Sequence, residues 1–217
     1  MNYRNFLVAS GANSYICPMK NIAVFASGSG SNAENLIRYF NLDHPEKEIR
    51  VSLLIANRPD AYVLERARQL NTPSLIYHRA DFYPQKSGSY PLLKSLSDYQ
   101  IDYIALAGFL WLIPEYLIEA YPNKIVNIHP ALLPAYGGRG MYGMYVHRAV
   151  IKNGESESGI TIHLVDNQYD HGSTLFQARC HVDSGETPEG LVQKIHLLEQ
   201  EHYPKVVENW INGRLPQ

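Results

Sequence analysis

The chain has 217 residues, 45% hydrophobic and 18% charged, with a formal net charge of -2. That length holds one domain with a sizeable core rather than two full domains. The near-neutral charge leaves no electrostatic footprint for nucleic acid or an anionic membrane surface.

No apolar run approaches the roughly 20 residues that a membrane-spanning helix needs. Cys17 and Cys180 lie far apart and form no metal pattern, so a reduced, cytoplasmic setting is expected. Residues 1–18 carry one short apolar patch, FLVA, and no helical or strand period. The patch is too short for a signal peptide. We expect residues 1–18 to be an extension, disordered or upstream of the native start, and residues 19–217 to form a single domain beginning at Met19.

From Met19 a rhythm sets in. NIAVFAS (21–27) reads as a strand and AENLIRYF (33–40) as a helix. IRVSLLIAN (49–57) and AYVLERARQL (61–70) repeat the pair. TPSLIYH (72–78) is a third strand, YPLLKSLSDY (90–99) a helix and IDYIALAG (101–108) a buried strand. PEYLIEAYP (114–122) opens with Pro at the first helical turn, and KIVNIHP (124–130) is the next strand. Strands alternating with helices predict crossover units and a Rossmann-like, mostly parallel sheet flanked by helices. After residue 155 the pattern changes. SGITIHLVD (158–166) and STLFQARCHV (173–182) predict an antiparallel hairpin. Residues 187–211 then predict a long closing helix, with Thr187 as N-cap and Pro188 in its first turn.

SGSGSN (27–32) sits between the first strand and the first helix. Small residues there let a ligand approach the backbone, and a helix N-terminus offers free N–H groups and about half a positive charge. This predicts a phosphate cradle that needs no lysine. Gly28, Gly30 and Ala33 also fit the dinucleotide fingerprint. That fingerprint wants an acid at the end of the second strand, where this chain has Asn57. A phosphomonoester is therefore preferred to a dinucleotide, beside the plainer alternative that glycine merely shapes the turn.

NIHPALLPAYGGRG (127–140) follows the apolar run 101–113 at one remove. Asn127 and His129, two apart on a strand, point to one face. They stand at the C-terminal end of a parallel strand, where open α/β sheets place their ligand crevice. The prolines and glycines fix the departing rim. Asn offers an N–H donor, and His a donor or a base. With no Ser or Cys beside the His, direct attack of an amine on an acyl carbon fits better than a covalent acyl-enzyme. Asp170, in the NQYDHG connection, is the candidate to orient or charge His129. The alternative is that Asn127 and His129 only cap a strand end. His163, inside a strand, reads as a hydrogen-bonded structural residue, and His147 as ambiguous. DNQYDHG fails as a calcium loop at Gln168 and His171, and His163, Asp166, Asp170 and His171 lack zinc spacing, so no metal is expected.

Taken together, SGSGSN, LAGFLWLI, NIHPALLP and HLVDNQYDHG resemble the phosphoribosylglycinamide formyltransferase family of de novo purine synthesis, from Met19 to the end of the chain. NIHP-x-LLP alone indicates only the wider group of 10-formyltetrahydrofolate enzymes. The resemblance implies formyl transfer from 10-formyltetrahydrofolate to the glycinamide amine. It implies that Asn127 holds the formyl oxygen, His129 acts as general acid, and Asp170 keeps His129 protonated and assists proton transfer through water. It implies that Gly30, Ser31 and Asn32 bind the phosphate and Glu199 the ribose. The folate is implied along Leu110, Trp111, Leu112 and Ile113, with Asn127 and the 166–170 loop.

Three departures stand out. Trp111 occupies a position where many relatives carry Arg. The rim PAYGGRGMYGMYVH is long, and its Arg139 either reaches an anionic part of a ligand or serves as a plain surface residue. Lys86 replaces a family Arg near the folate. The expected partners are these small molecules, with no nucleic acid and no membrane, for a monomer or homodimer. Three rivals are weighed. A 10-formyltetrahydrofolate hydrolase is disfavoured by GSGSN and expects an N-terminal regulatory domain. A methionyl-tRNA formyltransferase expects a second domain and a basic surface. A non-catalytic nucleotide-binding module expects no activity at all.

Overall fold

The computed structural model describes residues 19–84 and 90–214. The extension 1–18 and Lys86 therefore lie outside the described residues. Seven strands form one sheet: β1 (Lys20–Ala26), β2 (Ile49–Ala56), β3 (Ser74–Ile76), β4 (Tyr103–Leu106), β5 (Ile125–His129), β6 (Glu157–Leu164) and β7 (Thr174–His181). Their order is β3-β2-β1-β4-β5-β6-β7. The first five run parallel, and β6 and β7 join antiparallel. The helices are α1 (Ser31–Arg38), α2 (Val63–Gln69), α3 (Arg79–Phe82), α4 (Pro91–Asp98), α5 (Glu115–Ala120), α6 (Met144–Lys152) and α7 (Pro188–Ile211). The expected parallel sheet, antiparallel hairpin and long closing helix are all present. Three short elements escaped the sequence reading: the one-turn α3, a π-helical turn at Tyr39–Asp43 that extends α1, and a 3-10 turn at Pro45–Lys47.

Coverage of both sheet faces follows from the alternation within each strand. In β1, Ile22, Val24 and Ala26 enter one core cluster while Ala23 and Phe25 enter the other. The first cluster packs under α1, α2, α6 and α7, and the second under α4 and α5. A strand buried on both faces has no polar side, which is why these segments read as continuous apolar runs.

The closing helix is anchored at three points. Thr187 Oγ1 accepts the Gly190 N–H at 3.0 Å, the N-cap read from the sequence. Tyr203, fully buried, donates its hydroxyl to the Leu106 carbonyl at the end of β4, 2.8 Å away. Pro204, inside the helix, has no N–H for the Gln200 carbonyl four residues back. Asn35 of α1 fills that vacancy, its Nδ2 donating to Gln200 O at 3.0 Å. These bonds fix α7 beside α1 and above the C-terminal ends of the strands. Tyr203→Phe leaves the Leu106 carbonyl without its buried donor and is expected to cost about 1–3 kcal/mol. Urea unfolding, with the m-value unchanged, checks this.

Candidate active site

The C-terminal ends of β1, β4 and β5 open onto a cavity of about 580 Å³. Its walls come from the turn after β1, the segment after β4, the end of β5, the glycine rim, the 166–170 loop and α7.

The turn after β1 is held by its neighbours. Ser27 N–H donates to Gly108 O at 3.1 Å, and Ser27 Oγ accepts Leu110 N–H at 3.0 Å. Val63 N–H donates to Gly28 O, and Arg66 Nε to Ser29 O. The two glycines serve different ends. Gly30 caps α1 in the left-handed region at φ +79°, and a Cβ there would collide with Val63. It is buried and does not line the cavity. Gly28 is exposed, and a Cβ there meets nothing within 4 Å. The cavity-lining glycine is therefore Gly28, beside Ser29, Ser31 and Asn32. Gly30, expected at the phosphate, turns the backbone behind that lining. Arg58, after β2, also lines the cavity and is paired with Asp60 at 2.7 Å.

On β5, Asn127 and His129 point into the site, while Ile128 joins the core cluster that includes α7. Asp170, with φ +55°, gathers the groups around them. Its Oδ2 accepts the Gly138 N–H of the rim at 2.9 Å. Its Oδ1 lies 3.4 Å from Asn127 Nδ2, 3.5 Å from His129 Nδ1 and 3.7 Å from His163 Nε2. His163 was read as structural, yet it belongs to this group. It sits opposite Asn127 in the β5–β6 register, and its Nε2 lies 3.1 Å from Asn127 Nδ2. The signal was available: once β5 and β6 pair antiparallel, residues opposite each other share a face. Its Nδ1 faces Leu164 O at 2.8 Å, so Nδ1 carries hydrogen. Both Asn127 amide hydrogens are thus directed to protein groups, the weaker bond being that to Asp170.

Asp170 is held below the usual carboxylate range: burial pushes it up, but His163, the His129 charge and the Gly138 N–H outweigh burial. For His129 the balance runs the other way. It is 3% exposed, and burial lowers its pKa more than Asp170 and the Tyr136 carbonyl raise it. Burial thus favours the neutral imidazole of His129, and Asp170 opposes it. His129 Nε2 faces Tyr136 O at 2.8 Å and takes the hydrogen, which leaves Nδ1 as the basic nitrogen beside Asp170.

The remaining candidates divide. Glu199 lines the cavity, is 7% exposed, and is pushed up to about 7 by burial against the opposing effect of Asn32. Of the folate candidates, Leu110 and Asn127 line the cavity. Trp111 instead packs on Phe82 and Phe109, Ile113 is buried, and the Leu112 carbonyl accepts the Tyr83 hydroxyl at 2.6 Å. These three support the wall without forming it. The rim supplies Arg139, Met141 and Tyr142, and α6 supplies the buried His147, pushed down to about 4 by burial and by His196 and His129. Among the described residues no cluster of three or more His, Cys, Asp or Glu has metal-holding geometry, and no helix is long and apolar enough to cross a membrane.

The chain is similar to known proteins along most of its length. It is 40% identical over 190 residues to phosphoribosylglycinamide formyltransferase, chloroplastic, of Arabidopsis thaliana, covering 87% of this chain but only 64% of that protein. It is 35% identical over 190 residues to phosphoribosylglycinamide formyltransferase of Bacillus subtilis, covering 88% and 94%. The crystal structure of glycinamide ribonucleotide transformylase 1 from Symbiobacterium toebii superposes with a TM-score of 0.80 at 33% identity, covering 96% of each chain. The formyl transferase profile matches residues 20–207, and the chain belongs to the formyl transferase family.

Proposed function

We propose that this protein transfers the formyl group of 10-formyltetrahydrofolate to the amine of 5-phosphoribosylglycinamide, a step of de novo purine synthesis. The observation that carries this reading is one cavity shared by two functions. At one end the N-terminus of α1 offers Gly28, Ser31 and Asn32 to a phosphate; at the other stand Asn127, His129 and Asp170. A ribonucleotide spans such a cavity from its phosphate to its reacting amine. The family membership and the relatives named above support the same acceptor.

The reaction forms the amine–carbon bond, breaks the bond from carbon to N10 of the folate, and moves a proton from the amine to N10. Neutral His129 suits this sequence. Its Nδ1 takes the amine's proton as charge leaves the nucleophile, Asp170 stabilises the resulting imidazolium, and His129 then returns the proton to N10, directly or through water. Asn127 turns one amide hydrogen from Asp170 to the developing oxyanion, giving up a long bond for a charge-assisted one. The folate is assigned to the end of the cavity lined by Phe109, Leu110 and Tyr169, with Trp111, Leu112 and Ile113 behind that wall. Lys86 is kept as a folate-tail candidate. The enzyme is assigned to the cytoplasm, as a monomer or homodimer without nucleic-acid or membrane partners.

Purified protein is expected to consume 10-formyltetrahydrofolate only when glycinamide ribonucleotide is present. Turnover without the ribonucleotide means a hydrolase, and turnover with neither means a binding module or another acceptor. Asn127→Ala is expected to lower kcat about 10²–10³-fold, and His129→Ala about 10²–10⁴-fold, in a stopped assay of formylated product.

The pH profile gives a separate test. Because the neutral form of His129 is the active one, kcat rises with pH through an apparent value below the ordinary imidazole value of about 6.5. Asp170 raises the His129 pKa, so Asp170→Asn is expected to move this acid limb to lower pH while reducing kcat at the plateau.

A further inference from the structure

The His129 ring is gripped from one side. Its Nε2 donates to the Tyr136 carbonyl at 2.8 Å, whereas its Nδ1 stands 3.5 Å from Asp170 Oδ1, long for a hydrogen bond. Asp170 has its own tie to the same stretch of rim, accepting the Gly138 N–H at 2.9 Å. Residues 136–138 thus accept a hydrogen from one group of the site and give one to the other. Between them, Gly137 has no room for a side chain: a Cβ there would lie 2.5 Å from Leu133 Cδ2 and 3.2 Å from Asp170 Cβ. This short stretch therefore seats directly against Asp170.

What holds the stretch lies outside the cavity. Tyr136 has φ +58°, in the left-handed region, where a residue with a Cβ is disfavoured unless its surroundings fix it. Its ring packs against the core cluster beneath α6 and α7. Its hydroxyl donates to Glu155 Oε1 at 2.6 Å and accepts from Asn153 Nδ2 at 2.9 Å. Asn153 caps the C-terminus of α6, and the Gly154 and Glu155 N–H groups bond back to Ile151 O and Val150 O in its last turn. The hydroxyl is thereby tied to the end of a helix, and its bond to Glu155 is charge-assisted. Tyr136, Asn153 and Glu155 do not line the active-site cavity.

Resting on the reading of His129 as the proton carrier, we infer that Tyr136 is a positioning residue for the transfer. Its hydroxyl, clamped by Asn153 and Glu155, sets the backbone that keeps the His129 hydrogen on Nε2 and leaves Nδ1 open toward Asp170. Removing that hydroxyl keeps the ring packed but unties the rim. The left-handed backbone then relaxes and the carbonyl turns away from Nε2. The hydrogen moves to Nδ1, where the Asp170 carboxylate attracts it. That tautomer has no lone pair at Nδ1 to take the amine's proton.

Tyr136→Phe in the full chain is expected to lower kcat about tenfold, less than removal of His129 does, because the imidazole is misaimed and not lost. KM for both substrates is expected to stay within about twofold of wild type. Glu155→Gln, which keeps an acceptor for the hydroxyl, is expected to retain kcat within about twofold, and Asn153→Ala combined with Glu155→Ala to match Tyr136→Phe. Nitrogen-15 spectra of the His129 ring, identified by the signals absent from His129→Ala, read the tautomer without turnover at about pH 8, where imidazole is neutral. The wild type is expected to carry hydrogen on Nε2, and Tyr136→Phe largely on Nδ1. A wild-type kcat in Tyr136→Phe, a loss of kcat with the Nε2 tautomer unchanged, or equal losses in Glu155→Gln and the double variant overturns the inference while the acceptor assignment stands. Failure of the wild type to formylate glycinamide ribonucleotide overturns the acceptor assignment, and the tautomer comparison still decides whether Tyr136 positions His129.

Discussion

One carboxylate organises the catalytic end of this protein. Asp170 accepts the Gly138 N–H of the rim and faces Asn127, His129 and His163 on two neighbouring strands. Three segments, β5, the rim and β6, therefore meet at two oxygen atoms. A charged carboxylate in a mostly buried place persists only where donors satisfy it, and here the Gly138 N–H and the Asn127 amide, both from residues that line the cavity, donate to it. The loop carrying Asp170 is thus fixed by its chemistry as much as by packing. The left-handed backbone at Asp170 and the long rim are both part of that arrangement.

Burial then decides which groups carry charge at rest. His129 and Glu199 both line the cavity, and burial pushes their pKa values in opposite directions while favouring the uncharged form of each. His129 has the Asp170 carboxylate beside it, which opposes that effect of burial.

Much of this was legible in the residues. The apolar runs of β1, β4 and β5 admit one reading because a strand buried on both faces has no polar side. Asn127 and His129 could be paired from their spacing alone, and Thr187 announced the start of α7. What stayed hidden depended on contacts between elements far apart in the chain. Gly28 and Gly30 are indistinguishable as letters, and only Val63 pressing on Gly30 separates the shaping glycine from the ligand-facing one. His163 enters the site through strand register, which no single segment contains. Trp111 was assigned to the wall itself, but its aromatic neighbours draw it behind that wall. For His129, spacing reveals a neighbouring anion, while only the fold reveals how completely the ring is enclosed.

The bond between Asn35 and the Gln200 carbonyl bears on how the protein is made. The two residues are 165 positions apart, and they join the helix after the glycine turn to the closing helix. On the ribosome, α1 and most of the parallel sheet emerge long before α7 exists. The cavity then lacks one wall until synthesis is nearly over. Contacts of such separation are slow to close, and a chain released early presents an uncovered sheet face together with a half-built cavity. Completion of the cavity is therefore a report that the last helix has arrived and docked.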